Sequence, residues 1–270
     1  MRRLLKAIPT MLQVGFAEAV AYRAEMIIWV LATTMPLIML MVWTAVAEAG
    51  PVPSVSGRTW ESGSFVAYFL VAFIVRQLIS SWAAWEINYE VRQGTLSMRL
   101  LRPVHPVLMY LVQNLVYLPL RAVVTAPVVV ILLFSPGAAH LEKHWATWLV
   151  FAASLAGGWM INFFANIAIG ALSFTMESSV KIMDVWIAAF FVFSGYLFPL
   201  DLFPPWLREV AAWLPFRYQL GLPVELATGV HSLPEALALL ARQWAWAAAF
   251  LVGSLSLWRV GVRRFQAYGG

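Results

Sequence analysis

Ionisable and amide side chains interrupt several apolar stretches of this 270-residue chain. Arg76 and Gln77 lie in one stretch, and Arg121 lies in the next one along the chain. Charged groups are costly inside a membrane, so they usually face the bundle interior, a cavity or a partner. These three residues are therefore candidates for lining a pathway. Internal hydrogen bonds, or an arginine that extends towards the membrane surface, would also explain them.

Another apolar stretch carries small and amide residues at positions four apart. The stripe consists of Ser154, Gly158, Asn162, Asn166 and Gly170. Residues four apart share one helical face, where small side chains permit close approach and amides can bond across helices. This pattern favours helix packing for Asn162 and Asn166, with substrate contact as the alternative.

Other patterns that could do chemistry are weak. His140-x-Glu142-x-His144 has the spacing of metal ligands, but beside an apolar span it is interpreted as accidental, and no metal site is predicted. The chain has no cysteine, which excludes disulfides and thiolate ligands. It also lacks the Gly-x-x-x-x-Gly-Lys-Ser/Thr loop that cradles nucleotide phosphates. We therefore predict no catalytic or cofactor-binding residue in this chain.

The composition assigns the chain to the membrane. Hydrophobic residues make up 62% and charged residues 11% of the sequence, whereas soluble domains have about 45–50% and about 25%. So few charges cannot cover a surface that faces water. The net charge of +5 is explained by basic cytoplasmic loops, so no nucleic-acid binding is expected.

Hydropathy predicts an all-α, polytopic membrane protein that forms a single domain. Residues 1–23 are expected to form an amphipathic helix at the membrane interface, with a soluble helix packed on a partner as the alternative. Six transmembrane helices follow, at 26–47, 64–85, 107–134, 145–174, 185–200 and 234–258. Pro119 and Pro127 are possible kink points in the third span. With both termini in the cytoplasm, cytoplasmic segments carry eleven Lys and Arg residues and outer segments five, Arg242 included.

The connection at 86–106 is the most charged part of the chain. Gly94 permits a bend, and Pro103 ends the helix before it. A short helix with Leu96, Leu100 and Leu101 on its apolar side and charged residues on the other would suit docking onto a soluble partner. An ordinary positively charged cytoplasmic turn is the alternative.

The connection at 195–233 is apolar yet repeatedly broken by proline. It is too irregular for a span and too apolar for a solvated loop. The pattern predicts short re-entrant helices in the outer leaflet, anchored by Trp and Phe at headgroup level.

Both connections resemble those of second-class ABC exporter permeases, in particular a bacterial branch with six spans. In the first, the matching residues are Glu90, Val91, Arg92, Gly94, Thr95, Leu96, Leu100, Leu101, Arg102, Pro103 and Val104. In the second, they include Gly195, Pro199, Pro204, Trp206 and Pro215. Because the order, spacing and span layout also agree, the resemblance covers nearly the whole chain.

The resemblance implies a permease of the bacterial plasma (inner) membrane. Two permease subunits, identical or different, would form the pathway among membrane lipid, and two ATPase subunits would bind ATP and Mg. The segment 86–106 would be the coupling helix that docks on the ATPase. Its coupling residues would be Glu90, Arg92, Gly94, Thr95, Leu96, Leu100 and Arg102.

Two other functions remain open from the residues alone. An ion-coupled secondary transporter would need protonatable residues at mid-membrane, where the sequence places arginines and amides but no clearly central carboxylate. An intramembrane enzyme acting on lipid would need carboxylates or histidines that converge at one depth.

Overall fold

The protein is predominantly helical in this computed structural model, which describes residues 33–176 and 179–265. The predicted interfacial helix at 1–23 lies outside the described residues. The helices are α1 (Met35–Glu48), α2 (Ser62–Ile79), α3 (Ala83–Arg92), α4 (Leu96–Leu100), α5 (Pro106–Val116), α6 (Leu118–Phe134), α7 (Trp145–Leu172), α8 (Ser179–Phe193), α9 (Pro205–Trp213), α10 (Leu222–Ala227) and α11 (Leu233–Arg264).

A small β-ladder is a departure from the all-α prediction. Strands β1 (Val52–Pro53) and β2 (Thr59–Trp60) pair antiparallel in the connection between α1 and α2. The ring of Trp60 is buried against Phe65 and Tyr68 of α2, which fixes the ladder on the bundle.

Four helical stretches of the described residues are long and apolar enough to cross a membrane. They are Ser62–Arg92, Pro106–Phe134, Trp145–Phe174 and Leu233–Arg264. Each overlaps a predicted span. Of the predicted first span, the described part is the shorter apolar helix α1, which starts after Thr34 and has Pro36 in its first turn.

Helix α7 lies at the centre of the bundle. It packs most extensively against α11, and also against α2, α3, α8 and α10. Small residues permit this close packing: a Cβ atom on Gly170 would lie 2.7 Å from the side chain of Ile87 in α3. The predicted packing stripe thus lies on the central helix of the described structure.

Two of the long stretches are discontinuous. Between α2 and α3, Ser80 adopts an extended conformation, so the predicted second span is two helices. Between α5 and α6, the chain breaks at Tyr117, two residues before Pro119. This interruption adjoins Pro119, one of the two predicted kink points, where proline removes a helical hydrogen bond and clashes with the preceding turn. Pro127 lies inside α6.

The predicted fifth span is displaced along the chain. The sequence predicts it at 185–200, whereas α8 is already helical at Ser179 and ends at Phe193. Gly195 then adopts φ +84°, a left-handed conformation that turns the chain away from the helix axis.

The two ends of the bundle differ in structure. We call one the α4 end, where α3, α4 and the start of α5 lie, and the other the α9 end, where the β-ladder, α9 and α10 lie. Arg242, counted above with the outer segments, lies inside α11. Its guanidinium carbon is 5.9 Å from the ring of Trp213, which places it towards the α9 end.

Candidate functional site

Arg99 fixes the segment 86–106 at the α4 end. Its Nη2 donates to Oε1 of Glu86 at 2.9 Å and to Oε1 of Glu90, and its Nη1 donates to Oε1 of Gln113 at 2.9 Å. Burial lowers the pKa of Arg99, but its hydrogen bond with Glu90 and the nearby charges raise that pKa above its ordinary value. The guanidinium therefore stays charged and joins α3, α4 and α5.

Tyr110 of α5 completes this arrangement. Its hydroxyl donates to Oε2 of Glu90 at 2.6 Å, and the Arg99 guanidinium carbon lies 4.3 Å from its ring centroid, within cation–π range. We call Arg99, Glu86, Glu90, Gln113 and Tyr110 the Arg99 clamp. Neither Arg99 nor Tyr110 is among the predicted coupling residues. The sequence does contain one indication of the clamp. Glu86 and Glu90 are one helical turn apart, so their carboxylates share a helical face and favour a nearby cation.

The turn between α3 and α4 requires Gly94. Its φ of +71° is strained for residues with a side chain, and Ser97 Oγ donates to its carbonyl oxygen at 2.7 Å. Beyond the turn, Leu96 is fully buried against Ile87 and Tyr110. Of the predicted coupling residues, Gly94 and Leu96 therefore position α4 from within the protein.

The other side of α4 is exposed and largely apolar. Leu101 is 81% exposed and Met98 is 66% exposed. The predicted coupling residues Arg92, Thr95 and Arg102 are exposed around them, and Leu100 is half-buried. Exposed apolar groups with a polar rim are typical of an interaction surface. We call Met98, Leu101, Arg92, Thr95 and Arg102 the α4 face.

A cleft of about 380 Å³ opens beside the α4 face. It separates α3 from the end of α7 and is lined by Asn88, Val91, Arg92, Ser173, Phe174, Thr175 and Met176. The floor is held by Asn88, whose Nδ2 donates to Ser179 Oγ at 2.8 Å. The α4 end thus offers both a projecting helix and a recess.

Arg76 and Arg121 come together where α2 ends. The Nη1 of Arg76 donates to Ser80 Oγ at 3.2 Å, and the Nη1 of Arg121 donates to the carbonyl oxygen of Ser80. Arg76 is 14 residues from the start of α2 and Arg121 is 13 residues from the end of α6. At 1.5 Å per residue, both lie about 20 Å from the α9 end.

Gln77 has a different neighbourhood from Arg76. Its Nε2 donates to Thr33 Oγ1 at 2.6 Å, and Tyr196 OH donates to the Thr33 carbonyl oxygen at 3.2 Å. These bonds join α2 and the chain after α8 to the residues before α1. In this structure Gln77 is satisfied by an internal contact.

Asn162 and Asn166 of α7 support the two sides of the α2–α3 break. Asn162 Nδ2 donates to the carbonyl oxygen of Ile79 at 2.7 Å, and Asn166 Oδ1 accepts from the backbone N–H of Ala84 at 3.3 Å. Broken helices occur at membrane depth only where other groups satisfy the backbone or a cavity adjoins it. Both amides therefore act on backbone groups that the break leaves without helical partners.

The segment 195–233 is anchored at the α9 end by backbone contacts. Tyr68 OH donates to the Gly195 carbonyl oxygen at 2.9 Å, and Trp43 Nε1 donates to the Leu197 carbonyl oxygen at 3.1 Å. Pro199 precedes a short 3-10 turn, and Pro204 precedes α9, on which Trp206 is exposed. Pro215 follows α9 and leads into a π-helical turn, Arg217–Gly221. Trp206 and Trp213 project from the bundle, as the predicted interfacial anchors would.

The π-helical turn and α10 penetrate the bundle. Gln243 of α11 donates from Nε2 to the carbonyl oxygens of Tyr218 at 2.6 Å and Ser154 at 2.8 Å. Leu220, Leu222 and other side chains of this segment are fully buried. Its backbone therefore reaches the central helix α7.

A buried ion pair lies behind this segment. Glu225 Oε2 accepts from Arg217 Nη2 at 2.9 Å and lies 2.8 Å from Nε2 of His231. Burial raises the pKa of Glu225, but Arg217 and His231 lower it further, so its net pKa lies below the ordinary range. The sequence alone does not predict that Arg217 and Glu225 pair.

The bundle, its discontinuous spans and the projecting α4 segment agree with one family. The family described as ABC-2 family transporter protein matches residues 27–269. The chain belongs to this family. The comparison with curated proteins gives no match. The permease is a multi-pass membrane protein of the ABC transporter type, and its family comprises transport permease domains and not nucleotide-binding domains.

Proposed function

We propose that this ABC-2 permease is the membrane-spanning subunit of an ATP-driven exporter of the bacterial plasma (inner) membrane. It forms the substrate pathway, and a separate ATPase subunit binds ATP and Mg and hydrolyses the nucleotide. In this proposal the six spans are the predicted first span, 26–47, of which α1 is described, followed by α2–α3, α5–α6, α7, α8 and α11. The α4 end and both termini then face the cytoplasm.

The α4 face carries this proposal. Met98 projects from a five-residue helix that lies outside the long apolar stretches, and Leu101 projects from the residue directly after it. The opposite side of α4 is fixed by buried Leu96 and by the Arg99 clamp. An exposed apolar side chain stabilises a complex when a partner buries it. Because α4 is already held in place, little conformational freedom is lost on binding, so more of this free energy contributes to affinity. A groove on a soluble ATPase is a partner of that kind.

The Arg99 clamp supplies the mechanical link in this proposal. It joins α4 to α3 and α5, which continue into the α2–α3 and α5–α6 stretches. A displacement of α4 by the ATPase would therefore tilt two spans together. Those two spans carry Arg76 and Arg121 next to their breaks.

A second permease subunit, identical or different, would complete the pathway. Within the described residues, α6 and α11 bury only a small share of their apolar stretch, 17% and 22%, against 67% for the stretch that contains α2. Their free apolar faces are available to membrane lipid or to another subunit.

Co-purification tests the proposal. The permease is tagged, expressed with its neighbouring genes and isolated in mild detergent. We expect an ABC ATPase in the complex, and we expect Leu101→Glu and Met98→Glu to lower its recovery about tenfold or more, since a buried Leu or Met contributes roughly 1.5–3 kcal/mol. Trp206→Glu is the matched control, because Trp206 is equally exposed at the α9 end.

Two outcomes would contradict the proposal. One is that no ATPase accompanies a folded, monodisperse permease. The other is ATP hydrolysis by the permease alone. Transport that survives ATP depletion but collapses with the proton or sodium gradient would favour the ion-coupled secondary transporter instead.

A further inference from the structure

Arg76 and Arg121 place two positive charges close together inside the bundle. Both guanidinium groups bond to Ser80, and they are near enough to repel each other. Among the described residues, no Asp or Glu forms an ion pair with either one. Charges at this depth are costly unless something neutralises them. Ser80 supplies dipoles but no negative charge.

Arg76 also has unused hydrogen-bonding capacity. Its Nε is buried and has no hydrogen-bond partner in the described structure. Its guanidinium lies 5.0 Å from the ring of Phe190 and 5.9 Å from that of Tyr196, so aromatic faces supply part of its stabilisation. A guanidinium presents several donors in a planar fork that matches phosphate and carboxylate oxygens.

Arg76 lines a cavity with a predominantly apolar wall. Trp82, Trp85, Trp186, Ile187 and Phe190 are among its lining residues. The cavity measures about 30 Å³, which holds no more than a water or two. In this conformation it is therefore closed around the arginine, and a larger group requires the wall that α3 and α8 form to open.

We propose that Arg76 and Arg121 form a binding site for the phosphate group of an anionic amphiphile. The guanidinium groups neutralise and hydrogen-bond the phosphate, and the aromatic wall receives the adjoining apolar chain. The negative charge of the ligand supplies the counter-charge that the described bundle lacks. Calling this ligand the transported substrate rests on the function proposed above.

Because the two positive charges lie close together, a ligand-binding role of the arginines can be distinguished from a purely structural one. If the two arginines await a ligand, replacing one with glutamine relieves their mutual repulsion in the ligand-free protein. The variant is then as stable as wild type or more stable, and it binds the ligand poorly. If the arginines only hold the α2–α3 break, the same change removes hydrogen bonds and lowers the thermal midpoint.

The test is direct binding to the purified permease in neutral detergent, with no ATPase needed. Dodecyl phosphate is the probe, dodecyltrimethylammonium has the same chain with the opposite charge, and inorganic phosphate has the charge without the chain. We expect Arg76→Gln and Arg121→Gln each to weaken dodecyl phosphate binding about tenfold or more. Arg242→Gln, an arginine towards the α9 end, should bind as wild type does. Arg76→Lys should keep the fold and bind at intermediate strength, because lysine keeps the charge but loses the fork.

Several outcomes would overturn the site. Equal binding of dodecyltrimethylammonium would rule out an anion site, and equally tight inorganic phosphate would show that no amphiphile is recognised. Unfolding of every Arg76 variant, with unchanged binding by Arg121→Gln, would assign both residues to structure. The proposed function fails separately: dodecyl phosphate could bind as expected while no ATPase joins the permease, and the site would stand without the exporter.

Discussion

Glu225 is a buried carboxylate whose environment keeps it ionised. It lies in α10, where it contacts Arg217 and His231, and its side chain is 8% exposed. These partners offset the free-energy cost of burying the carboxylate, so contacts within the protein, and not solvent, stabilise its charged form. Removing one partner would leave the other as an unpaired buried charge.

The first prediction concerns this pair. Glu225→Gln should lower stability by about 3 kcal/mol, because Arg217 would remain buried and charged without its carboxylate. Thermal unfolding of the purified permease in detergent measures the loss. Glu209→Gln is the control, since Glu209 is exposed on α9 and makes no ion pair with the described residues. An unchanged thermal midpoint for Glu225→Gln would contradict the importance of the pair.

The depressed pKa of Glu225 gives a second prediction, on pH. A carboxyl whose folded-state pKa lies below its unfolded value of about 4.3 stabilises the protein above that pH, and the contribution is lost as the pH falls towards the folded-state pKa. The difference in thermal midpoint between wild type and Glu225→Gln should thus persist from pH 7 to about 5. Below about pH 4 it should shrink. A difference that grows with acid would reverse the sign and contradict the assignment.

The Arg99 clamp is the residue-scale feature on which the proposed coupling depends. Arg99→Ala removes hydrogen bonds to Glu86, Glu90 and Gln113 at once. We expect amide hydrogen exchange in α4 to accelerate about tenfold or more, since hydrogen bonds to charged groups contribute roughly 1.5–3 kcal/mol each. Arg102→Ala, an exposed neighbour, should leave the exchange unchanged. Equal exchange rates in the two variants would show that the clamp does not hold α4.

At the scale of elements, the sequence predicts spans better than it predicts their breaks. The fourth span is predicted at 145–174 and α7 is Trp145–Leu172, because length and apolarity alone define an unbroken helix. The break at Ser80 has no proline or glycine to signal it. It is supported from elsewhere in the chain, by Asn162 and Asn166. Long-range partners of this kind cannot be read from local propensity.

At the end of the fifth span, local residues end a helix that the hydropathy pattern would extend. The apolar residues after Phe193 extend the hydropathy pattern, but Gly195 and the prolines that follow it make helical continuation unfavourable. Similarly, the residues of the Arg99 clamp lie in a segment whose importance the sequence does indicate. Their pairing depends on how α3, α4 and α5 meet, which the order of residues along the chain does not determine.

Helix α7 permits a prediction with a matched control. A Cβ atom on Gly158 would lie 2.5 Å from the carbonyl oxygen of Gln219, whereas nothing lies within 4 Å of one on Gly253. Gly158→Ala should therefore separate α7 from the π-helical turn and destabilise the permease by about 1–3 kcal/mol. Gly253→Ala should be neutral or stabilising by up to about 1 kcal/mol, because alanine favours helix. Thermal unfolding of both variants checks this, and equal midpoints would contradict the close approach.

At the scale of the whole molecule, the two ends of the bundle present different surfaces. The α9 end covers its backbone with a β-ladder, short helices and aromatic side chains, whereas the α4 end projects one short helix with exposed apolar residues. In a six-span permease with cytoplasmic termini, only the α4 end can meet a cytoplasmic ATPase. The orientation of the molecule is therefore a premise of the coupling proposal.

The absence of cysteine allows this orientation to be tested directly. Single cysteines are introduced at Val55, in the α9-end connection, and at Gln93 and Arg263, at the α4 end, all of which are exposed. A membrane-impermeant maleimide should label Val55→Cys in spheroplasts, and should label Gln93→Cys and Arg263→Cys only after permeabilisation. The reverse pattern would place the α4 face outside the cell, where no ATPase could bind it. Labelling of Gln93→Cys and Arg263→Cys on opposite sides would show that an odd number of crossings separates these two positions, contrary to the six-span arrangement.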